Sequence, residues 1–359
     1  MVNGKRTIGI LTGGGDCPGL NAVIRAAVRT ARSEHDLEVM GIQLGFEGLL
    51  TRSCVPLTTE SIRGILPKGG TLLRTTNRGN PFAFPSLQEG HPVVVDRSAE
   101  VVRNIHELGI DGIIAIGGDG TLRIAQRLCD MGIPMVAVPK TIDNDLAATD
   151  YTFGFHTAVS VATEAVDRLH TTAESHDRVM ILEVMGRHAG WIALYSGIAG
   201  GADIILIPEI PYDPKKIVDS IRSRQREGSK FDIVVVAEGA HRLGGEEAYL
   251  DRTTRRLGGI AYQVAADIAQ QIDLEIRVTV LGHVQRGGSP ISFDRILATR
   301  MGKAAVDLMA TKEFGKMVAL RGDAIVSVPI RDAIANQKCV DPEGELVKTA
   351  RSVGVSFGD

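Results

Sequence analysis

Short apolar runs alternate with longer segments of helical periodicity along nearly the whole chain. The runs rich in Val, Ile and Leu predict β-strands at residues 7–11, 38–43, 112–116, 135–138, 179–184, 204–207, 233–237 and 278–281. Apolar residues at helical spacing predict α-helices at residues 20–33, 98–108, 122–131, 157–175, 191–200, 214–227, 259–272 and 292–310. Apolar strands that alternate with helices are typical of parallel sheets covered on both faces. The pattern therefore predicts an α/β fold.

The length of the chain indicates more than one domain. At 359 residues it exceeds the size at which a single core is usual, so we expect two domains. No obvious linker divides the sequence, which predicts that the chain crosses between the domains more than once. Residues 74–92 are polar, rich in Gly and Pro and without periodicity, and they predict a mobile surface loop.

Composition and charge narrow the class of protein. Hydrophobic residues make up 44% of the chain and charged residues 23%, as in globular proteins. The net charge of −3 gives no general attraction to nucleic acid, so any phosphate must be bound by local cations. No apolar run has the length of a membrane span, the first residues lack a secretory pattern, and the four cysteines are scattered. We expect a cytoplasmic protein without a membrane or nucleic-acid partner.

A first glycine-rich turn, TGGGDCPGLN at residues 12–21, follows a predicted strand and opens a predicted helix. Glycines in such a turn let backbone N–H groups approach a phosphate, and the helix N-terminus adds partial positive charge. A tight connection that needs positive φ explains the same glycines. The spacing of Gly13, Gly15 and Gly19 differs from the dinucleotide-binding fingerprint, which disfavours a dehydrogenase.

A second glycine turn, GGDGT at residues 117–121, also follows a strand and places Asp119 and Thr121 at the start of a helix. Asp119 as a simple helix cap is one explanation, because Asp is a good N-cap residue. A cap explains one carboxylate only. Two more aspartates follow shortly after, at the end of the next predicted strand.

Those aspartates belong to the segment PKTIDND at residues 139–145, which also contains Lys140 and Thr141. A solvated acidic loop is the simplest reading. However, Asp143 and Asp145 come directly after an apolar strand, and carboxylates at a wet cleft beside a phosphate-binding turn suit two tasks. They can hold magnesium and remove a proton from an attacking hydroxyl. The combination favours phosphoryl transfer.

Two later segments supply cations. Arg187 follows the predicted strand at 179–184, and His283 and Arg286 follow the strand at 278–281, while Arg178 and Arg277 lie at the opposite ends of these strands. An isolated arginine is usually a surface ion pair, but four in such positions favour a substrate phosphate. Because opposite strand ends cannot share one site, an oligomer would be needed to bring Arg178 and Arg277 into a neighbour's cleft.

A further acidic residue, Glu238, ends the predicted strand at 233–237. It is suited to accept hydrogen bonds from sugar hydroxyls or to cap a turn, and the sequence leaves both roles open.

The chain resembles the 6-phosphofructokinase family from Gly9 to about Asn336. The resemblance rests on five motifs that occur in this order: GGDCPGLN, GGDGT, PKTIDND, EVMGRHAGW and LGHVQRGGSPISFDR. The resemblance implies two interleaved α/β domains, each a mostly parallel sheet covered by helices. The larger, nucleotide-binding domain is expected at residues 1–154 and 285–334, and the smaller, sugar-phosphate-binding domain at 155–284 and 335–359. It also implies a homotetramer with shared active sites. The expected reaction, a step of glycolysis, transfers the γ-phosphoryl of ATP to the 1-hydroxyl of fructose 6-phosphate.

The same resemblance assigns roles to individual residues. Asp143 would be the general base, Thr141 and Arg187 the other catalytic residues, and Asp119 the ligand of Mg²⁺. The residues expected to line the ATP phosphates are Gly14, Arg78, Gly118, Asp119, Gly120, Thr121 and Lys140. The residues expected to bind fructose 6-phosphate are Thr141, Asp143, Arg178, Met185, Gly186, Arg187, Glu238, Arg277, His283 and Arg286, with Arg178 and Arg277 reaching in from a neighbouring subunit.

The phosphoryl donor is the point on which this chain departs from a uniform family pattern. At the position of Gly120, pyrophosphate-dependent members usually carry aspartate, and at the position of Lys140 they usually carry lysine, as this chain does. Bacterial ATP-dependent members usually carry glycine at both positions. An aspartate at position 120 would crowd and repel the α-phosphate of a nucleotide, so Gly120 favours ATP. A diphosphate-dependent phosphotransferase is the alternative. A non-catalytic sensor is disfavoured because Asp143 is present, and other GGDGT kinases lack the MGR and HVQRGG segments.

Overall fold

The computed structural model describes residues 5–88, 90–251, 253 and 256–359. These residues form two compact units, and the chain passes between them several times. The first unit comprises the described residues within Met1–Thr141, Leu146–Gly154 and Arg286–Gln337, and the second those within Ile142–Asp145, Phe155–Gln285 and Lys338–Asp359. The chain passes from one unit to the other after Gly154, Gln285 and Gln337, and the short segment Ile142–Asp145 lies in the second unit.

Each helix predicted from the sequence is present, with its ends shifted by a few residues. The α-helices are α1 (Leu20–Glu34), α2 (Glu47–Thr51), α3 (Ser98–Glu107), α4 (Asp119–Asp130), α5 (Phe155–His176), α6 (Trp191–Ala199), α7 (Pro214–Arg226), α8 (Ile260–Ala269), α9 (Ser292–Ala310), α10 (Ile330–Ala333) and α11 (Glu345–Ser352). Helix α4 begins at Asp119 and not at residue 122, so the GGDGT motif supplies its first turn. No helix in the part of the chain that the structure describes is both long enough and apolar enough to cross a bilayer.

The strands include all those predicted and several others. They are β1 (Thr7–Thr12), β2 (Glu38–Ile42), β3 (Cys54–Pro56), β4 (Phe84–Gln88), β5 (His91–Val95), β6 (Gly112–Gly117), β7 (Met135–Thr141), β8 (Phe153–Gly154), β9 (Val179–Val184), β10 (Ile204–Leu206), β11 (Asp232–Ala237), β12 (Tyr249–Asp251), β13 (Arg256–Leu257), β14 (Ile276–Val280), β15 (Lys316–Arg321) and β16 (Ala324–Pro329). Two short 3-10 helices are Pro81–Ala83 and Gly282–Arg286.

The first unit is built on a sheet in the order β16-β15-β7-β6-β1-β2-β3, with β8 added to β7. Its central strands are parallel, and only the edge strands β3 and β16 run antiparallel to their neighbours. Strands β6 and β7 are buried along their whole length, which explains their continuous apolar sequence. In register, Thr12 lies opposite Ile116 and Gly117 opposite Pro139, so both glycine turns and the PKTIDND segment leave the sheet side by side.

The second unit is built on a smaller sheet in the order β10-β11-β9-β14, and all its pairings are parallel. Val184 of β9 lies opposite Ala237 of β11, and Val280 of β14 lies opposite Glu183. The carboxyl ends of these three strands therefore carry the segments that begin at Met185, Glu238 and Leu281 to one edge of the sheet. The two mostly parallel sheets with their helices confirm the predicted fold class.

The prediction of an unstructured loop at residues 74–92 is wrong in its second half, apart from Glu89, which lies outside the described residues. Residues 84–88 and 91–95 pair as an antiparallel hairpin, β4 with β5, preceded by the 3-10 helix Pro81–Ala83. Asn80 caps that helix by accepting a hydrogen bond from the Phe82 amide at 3.1 Å. The prolines in both strands hid the pattern, since proline is tolerated only on a sheet edge, and here each strand is an edge.

Candidate active site

The two glycine turns of the first unit pack against the side chain of Thr121. A Cβ atom on Gly13 would lie 2.6 Å from Thr121 Oγ1, and one on Gly117 would lie 2.3 Å from Thr121 Cβ. The Gly13 amide also donates to the Ile116 carbonyl at 2.9 Å, which ties the first turn to the end of β6. Any side chain at either position would displace Thr121, which explains glycine at both, and the hydrogen bond joins the first turn to the end of β6.

Lys140 points its ammonium group at the first glycine turn. It is 3% exposed, and its Nζ donates to the Gly15 carbonyl at 2.6 Å. Gly14 has φ of 76°, and a Cβ atom there would lie 3.5 Å from Lys140 Nζ and 3.9 Å from Asn77 Oδ1. A phosphate near Gly14 would therefore meet a cation that already belongs to the turn.

Residues 74–78 run along the same turn. Thr75 Oγ1 donates to the Gly14 carbonyl at 2.5 Å, and the Gly14 amide donates to the Thr76 carbonyl at 3.3 Å. Arg78 is exposed, and its amide is fixed by Thr76 Oγ1 at 3.1 Å. Sequence reasoning identified Arg78 but missed Asn77, because one amide side chain in a polar stretch carries no recognisable signal.

Asp119 and Gly120 occupy the first turn of α4, where a negative charge is favoured. The Asp119 side chain is 46% exposed and accepts from Arg123 Nε at 2.8 Å, one helical turn away. A Cβ atom on Gly120 would meet nothing within 4 Å. Gly118, just before the helix, is extended and half-buried. The space next to Gly120 is therefore open, whereas a Cβ atom on Gly118 would lie 3.3 Å from the Lys140 carbonyl oxygen.

Arg286 lies in the first unit, against the first glycine turn. Its Nη1 donates to the Asp16 carbonyl at 3.2 Å, and a Cβ atom on Gly15 would lie 2.9 Å from the same nitrogen. The sequence assigned Arg286 to the sugar phosphate together with His283. In the structure Arg286 contacts the first glycine turn and His283 is exposed in the second unit, and the sugar-phosphate role stays a prediction.

In the second unit, residues 185–187 form a turn in an unusual backbone conformation. Gly186 has φ of 144° and Arg187 has φ of 52°, a left-handed value that costs energy for a residue with a side chain. Two side chains hold the turn: Gln285 Oε1 accepts from the Met185 amide at 2.8 Å, and Glu238 Oε1 accepts from the Arg187 amide at 3.1 Å. The exposed Arg187 guanidinium is thus presented by a turn fixed from both sides.

Gly239 explains how Glu238 comes so close to that turn. A Cβ atom on Gly239 would lie 2.0 Å from the Arg187 carbonyl oxygen, so no other residue fits there without a shift of the backbone. Gln285 is fully buried and was missed from sequence, where it is one polar residue between His283 and Arg286. Its contact with Met185 joins residues 100 positions apart, which no local pattern reveals.

The carboxyl group of Glu238 lies beside other carboxylates. Its pKa is raised to about 7, chiefly by burial; the carboxylates of Asp143 and Glu183 also raise it, and the Arg187 amide opposes the rise. Asp143 is 5% exposed and lies in the second unit, near enough to Glu238 for their charges to repel. Thr141, the last residue of β7, is also buried. Asp143, which is buried, and Glu238, which is half-buried, thus carry interacting negative charges, an arrangement that suits binding and deprotonation of a hydroxyl.

We expect Glu238→Gln to stabilise the protein at alkaline pH. Because the folded-state pKa of this carboxyl is raised, its contribution to the free energy of unfolding is full below about pH 4 and is lost as the pH rises through about 7. Glutamine stays neutral, so it should raise the free energy of unfolding by about 2–3 kcal/mol at pH 8 and by almost nothing at pH 4. Denaturant unfolding across this range measures the difference. Glu174→Gln, exposed on α5, is the control, and a gain independent of pH would contradict the prediction.

Arg178 and Arg277 are joined by one acidic residue at the opposite edge of the second sheet. Arg178 Nε contacts Glu275 Oε2 at 2.5 Å, and Arg277 pairs with the other oxygen of the same carboxylate. These guanidinium groups lower the pKa of Glu275, Arg178 most strongly. The two arginines thus lie close together at the edge of the sheet opposite Arg187, Arg178 just before β9 and Arg277 at the start of β14.

The two clusters contain the components of a phosphotransferase. Glycine turns with a lysine, an arginine and an exposed carboxylate suit a polyphosphate, and a pair of interacting carboxylates beside an arginine suits an alcohol acceptor. The family model for phosphofructokinase matches residues 7–309, and the chain belongs to that family.

Individual relatives agree with this assignment. The ATP-dependent 6-phosphofructokinase of Chloroflexus aurantiacus is 54% identical over 362 residues, covering 100% of this chain and 99% of the relative. The pyrophosphate–fructose 6-phosphate 1-phosphotransferase of Streptomyces coelicolor is 52% identical over 357 residues, covering 98% of this chain and 99% of the relative. The structure of Saccharomyces cerevisiae phosphofructokinase superposes with a TM-score of 0.77 at 32% identity over 92% of this chain; the chain spans 45% of that longer protein.

Proposed function

We propose that the protein is an ATP-dependent 6-phosphofructokinase, which transfers the γ-phosphoryl group of ATP to the 1-hydroxyl of fructose 6-phosphate. The main observation behind the proposal is that a cation suited to phosphate and a carboxylate suited to a hydroxyl lie three residues apart at the end of β7. Lys140, still in the strand, points at a glycine turn, and Asp143, three residues later, lies beside Glu238. Family membership and the names of full-length relatives support the same activity.

In this proposal the first-unit cluster binds the donor. Lys140, Arg78 and the glycine turns hold the phosphates, and the N-terminus of α4 adds its partial positive charge. Asp119 is suited to magnesium, because Mg²⁺ takes one or two carboxylates together with substrate phosphates, and Asp119 is an exposed carboxylate below open space. When bound, the ion would offset the charge of the phosphates. Arg123 would then exchange its contact with Asp119 for solvent or phosphate.

The second-unit cluster binds the acceptor. Glu238 accepts hydrogen bonds from sugar hydroxyls, and His283 with the Met185–Gly186 backbone contacts the sugar phosphate. Asp143 removes the proton of the 1-hydroxyl as it attacks. Arg187 and Thr141 stabilise the charge that develops on the transferred group, an effect largest in the transition state. We infer that Arg178 and Arg277 contact the sugar phosphate of a neighbouring subunit in a homotetramer, and that the enzyme works in the cytoplasm.

In this proposal Gly120 is the residue that favours ATP over pyrophosphate as the phosphoryl donor. Relatives named for ATP and for pyrophosphate are similarly identical to this chain, so overall identity does not separate them. The open space above Gly120 accommodates the α-phosphate of a nucleotide, whereas Lys140 attracts the terminal phosphate of either donor. Pyrophosphate is therefore the second candidate, because Lys140 suits its terminal phosphate as well as that of ATP.

A donor comparison with purified protein tests the proposal. With fructose 6-phosphate and magnesium, we expect kcat/KM for ATP to exceed that for pyrophosphate by about a hundredfold or more, because only ATP uses the space above Gly120 (~2.8 kcal/mol). ADP serves as the control for binding without a transferable γ-phosphoryl group. Turnover with pyrophosphate alone would establish the second candidate. No turnover with either donor would exclude both.

A further inference from the structure

A short C-terminal segment, residues 338–340, connects the segment that carries Asp143 to the start of helix α6. We call it the strap. The Lys338 amide donates to the Asp145 carbonyl at 2.9 Å, and the Lys338 carbonyl accepts from the indole Nε1 of Trp191 at 2.9 Å. The Lys338 ammonium also lies over the Trp191 ring, 5.4 Å from its centroid. One residue of the strap therefore contacts both the base segment, Ile142–Asp145, and the first residue of α6.

The next two residues of the strap, Cys339 and Val340, contact His188 and Glu209. Cys339 Sγ lies 4.0 Å from the His188 carbonyl, and the Val340 amide donates to Glu209 Oε1 at 2.8 Å. His188 directly follows Arg187 in the chain. All these residues belong to the second unit, so the strap spans the distance between the two segments to which the proposed reaction assigns its base and its charge-stabilising arginine.

Glu209, which is half-buried, links the parts of this arrangement. Its Oε1 accepts from the Val340 amide and also from the Gly190 amide at 3.0 Å, so one oxygen atom joins the strap to the residue that precedes α6. A Cβ atom on Gly190 would lie 2.7 Å from Glu209 Oε2 and 2.4 Å from Ile207 Cβ, so only glycine permits the approach. Burial raises the pKa of Glu209, while the two amides oppose the rise. A carboxylate that is largely removed from water carries a desolvation cost, which the backbone amides that donate to it offset in part.

We propose that Glu209 and Trp191 are positioning residues for phosphoryl transfer. Through the strap they fix the base segment relative to the Arg187 turn. Neither side chain touches substrate in this assignment. The strap lies beyond the residues that the family model matches, which end at 309. The inference rests on the proposed function, because it is that function which makes Asp143 and Arg187 partners in one reaction.

The physical reason for an effect on turnover is alignment. A base displaced by about 1 Å loses about a hundredfold in rate, whereas substrate binding is spread over many contacts and changes little. Loss of the Glu209 anchor frees the Val340 and Gly190 amides together. Loss of the Trp191 indole N–H frees only the Lys338 carbonyl. We therefore expect loss of either side chain to lower kcat, and loss of the Glu209 carboxylate to lower it more than loss of the Trp191 indole N–H.

The experiment compares Glu209→Leu, Glu209→Gln and Trp191→Phe. Glutamine keeps a carbonyl oxygen at the position of Oε1, which accepts from both amides, and loses only the longer contact of the Gly190 amide with Oε2 at 3.1 Å, so it is the matched control. We expect kcat to fall about 10–100-fold in Glu209→Leu and about 3–10-fold in Trp191→Phe, with KM for fructose 6-phosphate changed less than about threefold. Glu209→Gln should keep near-normal turnover.

Hydrogen–deuterium exchange supplies a readout that needs no activity. In Glu209→Leu the amides of Lys338 and Val340 and the base segment should exchange faster than in the unmodified protein, and in Glu209→Gln they should not. Unchanged exchange in a folded Glu209→Leu protein would overturn the inference. So would a loss of stability without loss of kcat, or a rise in KM alone. If Glu209→Leu does not fold, Trp191→Phe decides by the same criteria. An unmodified protein that is inactive with either donor contradicts the proposed function, while exchange still tests the strap.

Discussion

Replacing Asp143 with asparagine should lower kcat about 10²–10⁴-fold and leave the binding of fructose 6-phosphate nearly unchanged. Asparagine has almost the same shape, so the buried position at 5% exposure keeps its packing. It cannot accept the proton of the attacking hydroxyl, and general-base catalysis typically contributes about this factor. A group that acts only in the transition state changes kcat and kcat/KM equally, which steady-state kinetics measures directly.

The same substitution should also alter the neighbouring carboxyl group. The Asp143 carboxylate raises the pKa of Glu238, so an asparagine at 143 should bring that pKa down from about 7. In a plot of kcat/KM for fructose 6-phosphate against pH, the part of the curve that reports the ionisation of Glu238 would move to lower pH. Asp219→Asn, on the exposed face of α7, is the matched control and should leave both measurements unchanged. Full turnover in Asp143→Asn would show that another group removes the proton.

The fold was largely predictable because its strands are marked twice in the sequence. The central strands are largely continuous apolar runs, and several end at or just before glycine or acidic residues, as β6 does at Gly117. Parallel strands deliver such residues to one edge, so the grouping of GGDGT with PKTIDND followed from sequence alone. The fold class predicted in this way is confirmed by the two sheets, and the family that the motifs resemble is confirmed by the family match.

The remaining features depend on contacts between residues far apart in the chain. Gln285 reaches Met185 and Glu209 reaches Val340, and neither pair leaves a periodic or local signature. The strap residues are ordinary polar and apolar types in a stretch without regular structure. Arg286 adjoins residues with different predicted roles, and only coordinates reveal that its guanidinium contacts the Asp16 carbonyl. Sequence therefore identified the residues that carry charge and missed those that hold them in place.

Replacing Gly120 with aspartate should reduce ATP use and open the site to pyrophosphate. A Cβ atom at this position meets nothing within 4 Å, and an acidic residue in the first turn of α4 is favourable, so the fold should tolerate the change. The new carboxylate would occupy the space proposed for the α-phosphate and repel it. Repulsion between this carboxylate and an adjacent phosphate costs several kcal/mol, so kcat/KM for ATP should fall about 10²–10³-fold.

Pyrophosphate has no α-phosphate, so the same carboxylate leaves it unaffected, and Lys140 remains to attract its terminal phosphate. We therefore expect the ratio of the two kcat/KM values to shift toward pyrophosphate by about 10²-fold or more. Gly120→Asn is the matched control, because it adds nearly the same volume without the charge and should retain most ATP activity. Equal losses in the aspartate and asparagine variants would mean that size, not charge, excludes the nucleotide. Unchanged ATP kinetics in Gly120→Asp would place the α-phosphate elsewhere and remove the reason for preferring ATP.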